Sequence, residues 1–146
     1  MKPLALSLAL LALLAVVPAL AHAAGTVFSG ETSQGRDVVM KANDEKLPYR
    51  LNIGFRAPCS DDKRLKAGTF FRAPFDRRTR RRIRDAGEYT FRLGEERIDA
   101  KVSMRGRKVS RRKWRGRYEG DFVVKRDGRR VATCETPVVR WRVTKQ

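Results

Sequence analysis

Six of the eight residues from Arg77 to Arg84 are arginine: Arg77, Arg78, Arg80, Arg81, Arg82 and Arg84, interrupted by Thr79 and Ile83. A second segment, Arg105 to Arg117, holds eight Lys or Arg in thirteen residues, with Arg111, Arg112 and Lys113 consecutive. Clustered guanidiniums bind phosphate or sulfate through paired N–H donors, and each neutralised phosphate releases condensed counterions. The chemistry these segments suit is capture of an anion, and the nine residues named are the candidate anion-binding set. Trp114 and Tyr118 lie beside them, where aromatics can stack on bases or sugars. Both follow the apolar register of their segment, however, and are read as core.

Groups suited to making and breaking bonds are sparse. Glu119 and Asp121 are two apart, so in a strand they share a face. Carboxylates about 5 Å or about 6.5–9.5 Å apart can run glycoside hydrolysis. Among so many cations the plainer reading is a pair of ion-paired surface groups. Ser60 and Ser110 each have a lysine nearby, Lys63 and Lys108, as a Ser-Lys scheme requires, but the spacing is not diagnostic. Phosphate-loop, dinucleotide and EF-hand signatures are absent. The expectation is a protein that is not an enzyme, with no cofactor and no metal site.

The N-terminus bears on the same question. Lys2 precedes an apolar run from Leu4 to Val17 broken only by Ser7, then Pro18 and the small-x-small triplet Ala21-His22-Ala23. This order is that of an export signal cleaved after residue 23, leaving 24–146 as a single domain. An uncleaved anchor is the competing reading, since Leu4 to Ala21 is just long enough to cross a bilayer. Nothing later is apolar for long enough to span a membrane. Cleavage removes His22, the only histidine of the 146 residues. Ser-His-Asp and Cys-His catalysis and His-ligated zinc are then excluded. The remaining chain holds 33 basic and 16 acidic residues, a net charge of +17, which steers a small domain towards anionic surfaces. The expected location is secreted, extracellular or associated with the cell envelope.

Cys59 and Cys134 are 75 residues apart, outside CxxC spacing and without metal-ligand neighbours. An even count in a small exported domain points to a disulfide. Two free buried thiols or a reactive nucleophile are the alternatives.

The elements that must position these residues are written in alternation. Leu47, Tyr49, Leu51, Ile53 and Phe55 alternate with polar or small residues. So do Leu65 to Phe71, Tyr89 to Leu93, Ile98 to Met104, Trp114 to Val124, and Val139 to Val143. Period two with one wet face is the signature of antiparallel strands. With shorter segments at Val27-Phe28 and Val38 to Met40, about nine strands are expected. Gln34-Gly35, Leu93-Gly94, Arg105-Gly106 and Asp127-Gly128 are read as tight turns, and Arg77–Arg84 as a long exposed loop. The fold class is all-β: an antiparallel meander closed as a β-sandwich or a small β-barrel.

Three stretches carry a resemblance: Gly30-Glu31-Thr32-Ser33-Gln34-Gly35-Arg36, Ala57-Pro58-Cys59-Ser60-Asp61-Asp62, and Cys134-Glu135-Thr136-Pro137-Val138-Val139-Arg140-Trp141. Together the chain resembles a group of small, uncharacterised exported proteins of high-GC Gram-positive bacteria. Asp62 and Pro137 stand where that pattern has glycine. The resemblance implies export, a β fold and the Cys59–Cys134 pair, and implies no activity.

Two origins for the basic character compete. Arginine outnumbers lysine 24 to 10, as codon composition in a GC-rich genome can produce; strand-borne arginines alternate with apolar residues as the solvated face of a sheet does, and charged side chains also guard exposed strand edges. Against this, six arginines in an octamer repel one another. The expected partner is an anionic polymer, whether a cell-wall polymer, an acidic polysaccharide or nucleic acid, bound without reading base sequence. The alternatives are a small carboxylate-dependent hydrolase and a structural envelope protein whose basic surface is incidental.

Overall fold

Alternating apolar residues, as expected, build strands throughout the computed structural model, which describes residues 25–146. The expected export signal lies outside the described residues. Ten strands follow in order: β1 (Thr26–Thr32), β2 (Asp37–Ala42), β3 (Pro48–Pro58), β4 (Arg64–Arg72), β5 (Asp76–Thr79), β6 (Arg82–Leu93), β7 (Glu96–Ser110), β8 (Lys113–Arg126), β9 (Arg129–Glu135) and β10 (Val139–Lys145). Among the described residues there is no helix, and hence none long and apolar enough to cross a membrane. All pairings are antiparallel, in the order β4-β3-β2-β1-β10-β8-β7-β6-β5, with β9 also on β8. The sheet curls on itself into a half-barrel, and no ladder joins β4 to β6.

The inner face is the core. Phe28, Leu51, Ile53, Phe55, Trp114, Tyr118, Phe122 and Trp141 are all buried. Phe55 stacks on Phe122 with ring centroids 4.9 Å apart and packs against Tyr118 at 5.3 Å. The Trp141 ring lies across Gly106 and Gly116, which face each other on β7 and β8. A Cβ at Gly106 would come within 2.7 Å of that ring, so both positions need the close approach that glycine allows. This corrects the sequence reading, which placed a turn at Arg105-Gly106. A glycine in mid-strand gives the same local signal as one in a turn.

Other turns fall where expected. Asp127 and Gly128 both take positive φ, 50° and 75°, as a two-residue hairpin requires. Asp62 adopts φ 63°, the left-handed conformation that Asp tolerates better than most residues. The Arg77–Arg84 segment is a second correction. It is the tight hairpin between β5 and β6, with only Arg80 and Arg81 in the turn, rather than a long loop. Unbroken arginine hid the strand register there.

The sheet divides at one junction. β10 pairs with the N-terminal, lower half of β8 (Lys113 to Tyr118), and β9 with its upper half (Asp121 to Arg126). The β1–β2 hairpin is wedged between β10 and β3 below, while above it β9 meets β3 directly at Cys59 and Cys134. Those two cysteines form a disulfide. Where strands part, backbone groups lose their ladder partners, and side chains replace them. The Gln34 amide donates to Arg56 O and accepts from Arg56 N, both at 2.8 Å. Ser33 Oγ accepts from Arg140 N, and Ser60 Oγ from Thr133 N, each at 3.1 Å. Thr136 Oγ1 accepts from Gly120 N at 2.8 Å. The three motif stretches thus meet in one place, where their polar side chains bridge gaps in the sheet.

Candidate polyanion interface

Strand register decides where the arginines go. Arg82 lies opposite Arg107, Arg107 opposite Arg115, and Arg115 opposite Arg142. Two residues along each strand, Arg84 faces Arg105, Arg105 faces Arg117, and Arg117 faces Arg140. The result is two parallel rows of four arginines across β6, β7, β8 and β10, all eight exposed on the outer face. Neighbours within a row sit about 4.8 Å apart, and the rows about 6.7 Å apart, by ordinary sheet geometry.

No acid interrupts the rows. Among the described residues the ion pairs are Asp61–Lys63, Arg97–Asp99, Lys125–Asp99 and Glu96–Arg126, none of which involves these arginines. Acids stand only at the rim: Asp76 opposite Arg84, Glu31 opposite Arg142, and Glu119 next along β8 from Arg117. Like charges directly opposite in a sheet destabilise it by about 0.2–1 kcal/mol per pair. The array contains six such opposed pairs. Opposed cations recur elsewhere in the sheet, in Lys41–Arg50–Arg72 and in Arg92–Arg97–Lys125–Arg130, but the latter row holds Asp99 against Arg97 and Lys125.

The nine candidates from sequence separate into groups. Arg82 and Arg84 belong to the rows, and Lys113 shares the outer face of β8 with Arg115 and Arg117. Arg80 and Arg81 are exposed at the β5–β6 turn beside them. Arg77 is half-buried and its Nη2 donates to Pro48 O at 2.6 Å, tying β5 to the start of β3. That bond sets it apart from the outward arginines of the rows. The Arg78 side chain lies outside the described residues. Arg111 and Arg112 are exposed in the β7–β8 turn at the lower end of the half-barrel. The sequence reading missed Arg105, Arg107, Arg115 and Arg117 as individual ligands, and Arg140 and Arg142 altogether. Their outward register was legible, but which strands lie side by side was not.

Trp114, Tyr118 and Trp141 are buried directly beneath the rows, with Trp114 and Trp141 at 1% and 2% exposure. They pack the core, and no aromatic side chain stands on the array itself. Tyr49 and Phe70 are exposed aromatics elsewhere, and Phe70 on β4 lies between Arg50 and Arg72 at 4.3 and 5.0 Å from its ring centroid.

Other reactive groups do not assemble. Glu119 and Asp121 project from the open outer face of β8, with Asp121 between Lys101 and Glu135. Neither residue lines the clefts of about 420 and 120 Å³. Ser60 is committed to Thr133, and Ser110 Oγ accepts from Arg112 N at 3.2 Å. The Thr69 hydroxyl bridges Tyr89 at 2.8 Å and Tyr118 at 2.7 Å, and burial pushes both phenols up, so this network stays protonated. Asp85, raised by burial, lies near it in the gap between β4 and β6, a cleft of about 120 Å³. That is well below the usual volume of a ligand pocket, about 300–1,000 Å³.

Comparison with protein-family models, with curated proteins and with solved structures gives no match.

Proposed function

We propose that this protein is an exported, non-catalytic binding domain for linear polyanions, held on the outer face of β6, β7, β8 and β10. One observation carries the reading: eight exposed arginines in two uninterrupted rows, with no paired acid among them. A polymer lying across the strands runs between the rows and meets guanidiniums on both sides. Such contacts recognise repeated phosphate or sulfate rather than bases. The disulfide and the export-like N-terminus fit an oxidising location outside the cytoplasm.

The test is equilibrium binding of long-chain polyphosphate to wild type, to R105S/R107S/R115S/R117S, and to R56S/R64S/K66S/R129S. The two variants have equal net charge. At about 0.7 kcal/mol per exposed guanidinium contact, four losses weaken binding about 100-fold in the row variant. The control variant loses less than fivefold. Equal losses in both would show that charge alone, rather than this array, attracts the polymer.

A further inference from the structure

A second basic site stands apart from the rows. The half-barrel opens at its lower end into a cleft of about 420 Å³, floored by Phe28 with Thr26 beside it. Four cations from three separate parts of the chain line it: Lys46 from the β2–β3 turn, Arg111 and Arg112 from the β7–β8 turn, and Lys145 from the end of β10. No acidic side chain lines it. Asp44 and Glu45 share a turn with Lys46 but lie outside the cleft. Among the described residues, none of the four cations forms an ion pair.

The backbone around the cleft is fixed. Lys145 N donates to Arg112 O at 2.8 Å, clamping the end of β10 to the β7–β8 turn, and Gln146 N donates to Val27 O at 3.0 Å. The β2–β3 turn is closed by Lys46 N to Asn43 O at 2.8 Å and Leu47 N to Asn43 Oδ1 at 2.9 Å. Within it Lys46 takes φ 59°, a left-handed conformation uncommon for a lysine. On β10 the inward register runs through Val139, Trp141 and Val143, so Lys145 is its next member at the mouth of the half-barrel. An exposed cation at the end of an inward register, lining a cleft with three others, is unlike the outward arginines of the rows.

The geometry points to a discrete site for a compact, multiply charged phosphate group, held by Lys46, Arg111, Arg112 and Lys145. The rows meet a polymer along an open sheet face, whereas the cleft gathers four cations around one opening of about 420 Å³, room for a short anion. A free oligophosphate and the terminal phosphate of a polymer share this chemistry. Lys113, next to Arg112 and on the same face as Arg115 and Arg117, bridges the two regions, so a polymer's end can reach the cleft. The site does not depend on polymer capture by the rows.

Calorimetric titration of the purified, disulfide-bonded protein with linear tripolyphosphate at 0.15 M salt tests this. Wild type should bind one equivalent saturably. K46N/K145Q, in which Asn tolerates the left-handed turn, should bind at least tenfold more weakly with an unchanged melting temperature. R105S/R107S/R115S/R117S should differ from wild type by less than threefold, because salt screens charges beyond about 8 Å. Displacement of tripolyphosphate from that row variant by long-chain polyphosphate marks a polymer terminus as a source, and failure to displace leaves the free oligophosphate. Wild-type affinity in K46N/K145Q, or an equal loss in the row variant, overturns the site. Loss of polymer binding by the row variant is a separate readout, so either site can fail alone.

Discussion

On the lower half of β6, β7 and β8, arginine faces arginine with no acid paired to it; on the upper half of the same strands cations are interleaved with acids, although Arg92, Arg97, Lys125 and Arg130 face one another in a row there too. There Glu88 lies opposite Lys101, Lys101 opposite Asp121, and Asp121 opposite Glu135 on β9. Asp99 is gripped by Lys125 at 2.6 Å, Thr90 at 2.9 Å and Arg97 at 3.1 Å, while Arg126 pairs with Glu96 at 2.7 Å. Both halves share one sheet, one composition and one alternating pattern. A codon bias towards arginine acts on both alike, yet among the described residues Arg97, Lys125 and Arg126 of the upper half are paired with acids and none of the eight row arginines is. On the proposed reading, the lower half gives up stability that a bound polyanion would restore.

The largest expected effect concerns how the upper half is closed. Cys59–Cys134 fixes β3 to β9 beside the compensated network. C59S/C134S should lose about 4 kcal/mol of stability, from the chain entropy of a loop closed over some 75 residues. Denaturant unfolding measures it, and a loss below about 1 kcal/mol would mean the junction holds without its covalent link.

Next comes the cost of the rows themselves. R105S/R107S/R115S/R117S removes a partner from each of the six opposed pairs, and so should be more stable than wild type by about 2 kcal/mol at low salt. The gain should shrink as salt rises. A variant that melts below wild type would contradict the contrast between the halves.

The smallest effect belongs to Asp99. Hydrogen bonds from Lys125 first and then Thr90, together with the Arg97 charge, lower its carboxyl to about 2 from the ordinary 3.8. With the folded pKa depressed, its stabilising contribution is complete above pH 3.8 and is lost as the pH falls through about 2. Wild type should therefore exceed D99N by a small margin at pH 7 and converge with it near pH 2. A margin that does not change with pH would assign the effect to packing.

Much of the fold was legible because it depends on local alternation. Strands through Leu51–Phe55, Ile98–Met104 and Val139–Val143 announced their inner faces, and Trp114 and Tyr118 were placed in the core by register alone. Gly106 misled because glycine marks both a turn and a close approach, and the ring it accommodates, Trp141, is far away in sequence. The array was only half legible. The outward direction of Arg105, Arg107, Arg115 and Arg117 follows from alternation, but Arg140 and Arg142 join them only because β10 pairs with β8. That is a long-range pairing no local pattern records. The mouth cleft was invisible for the same reason, since Lys46, Arg111 and Lys145 come together only when the sheet curls.

The most direct test of the array is the salt dependence of long-chain polyphosphate affinity for wild type and for R105S/R107S/R115S/R117S. A single-stranded polyanion gives a slope of log affinity against log salt of about −0.7 per phosphate neutralised. Removing four guanidiniums should make that slope shallower by about 3. Parallel lines for the two proteins would place the contacts elsewhere and contradict the account.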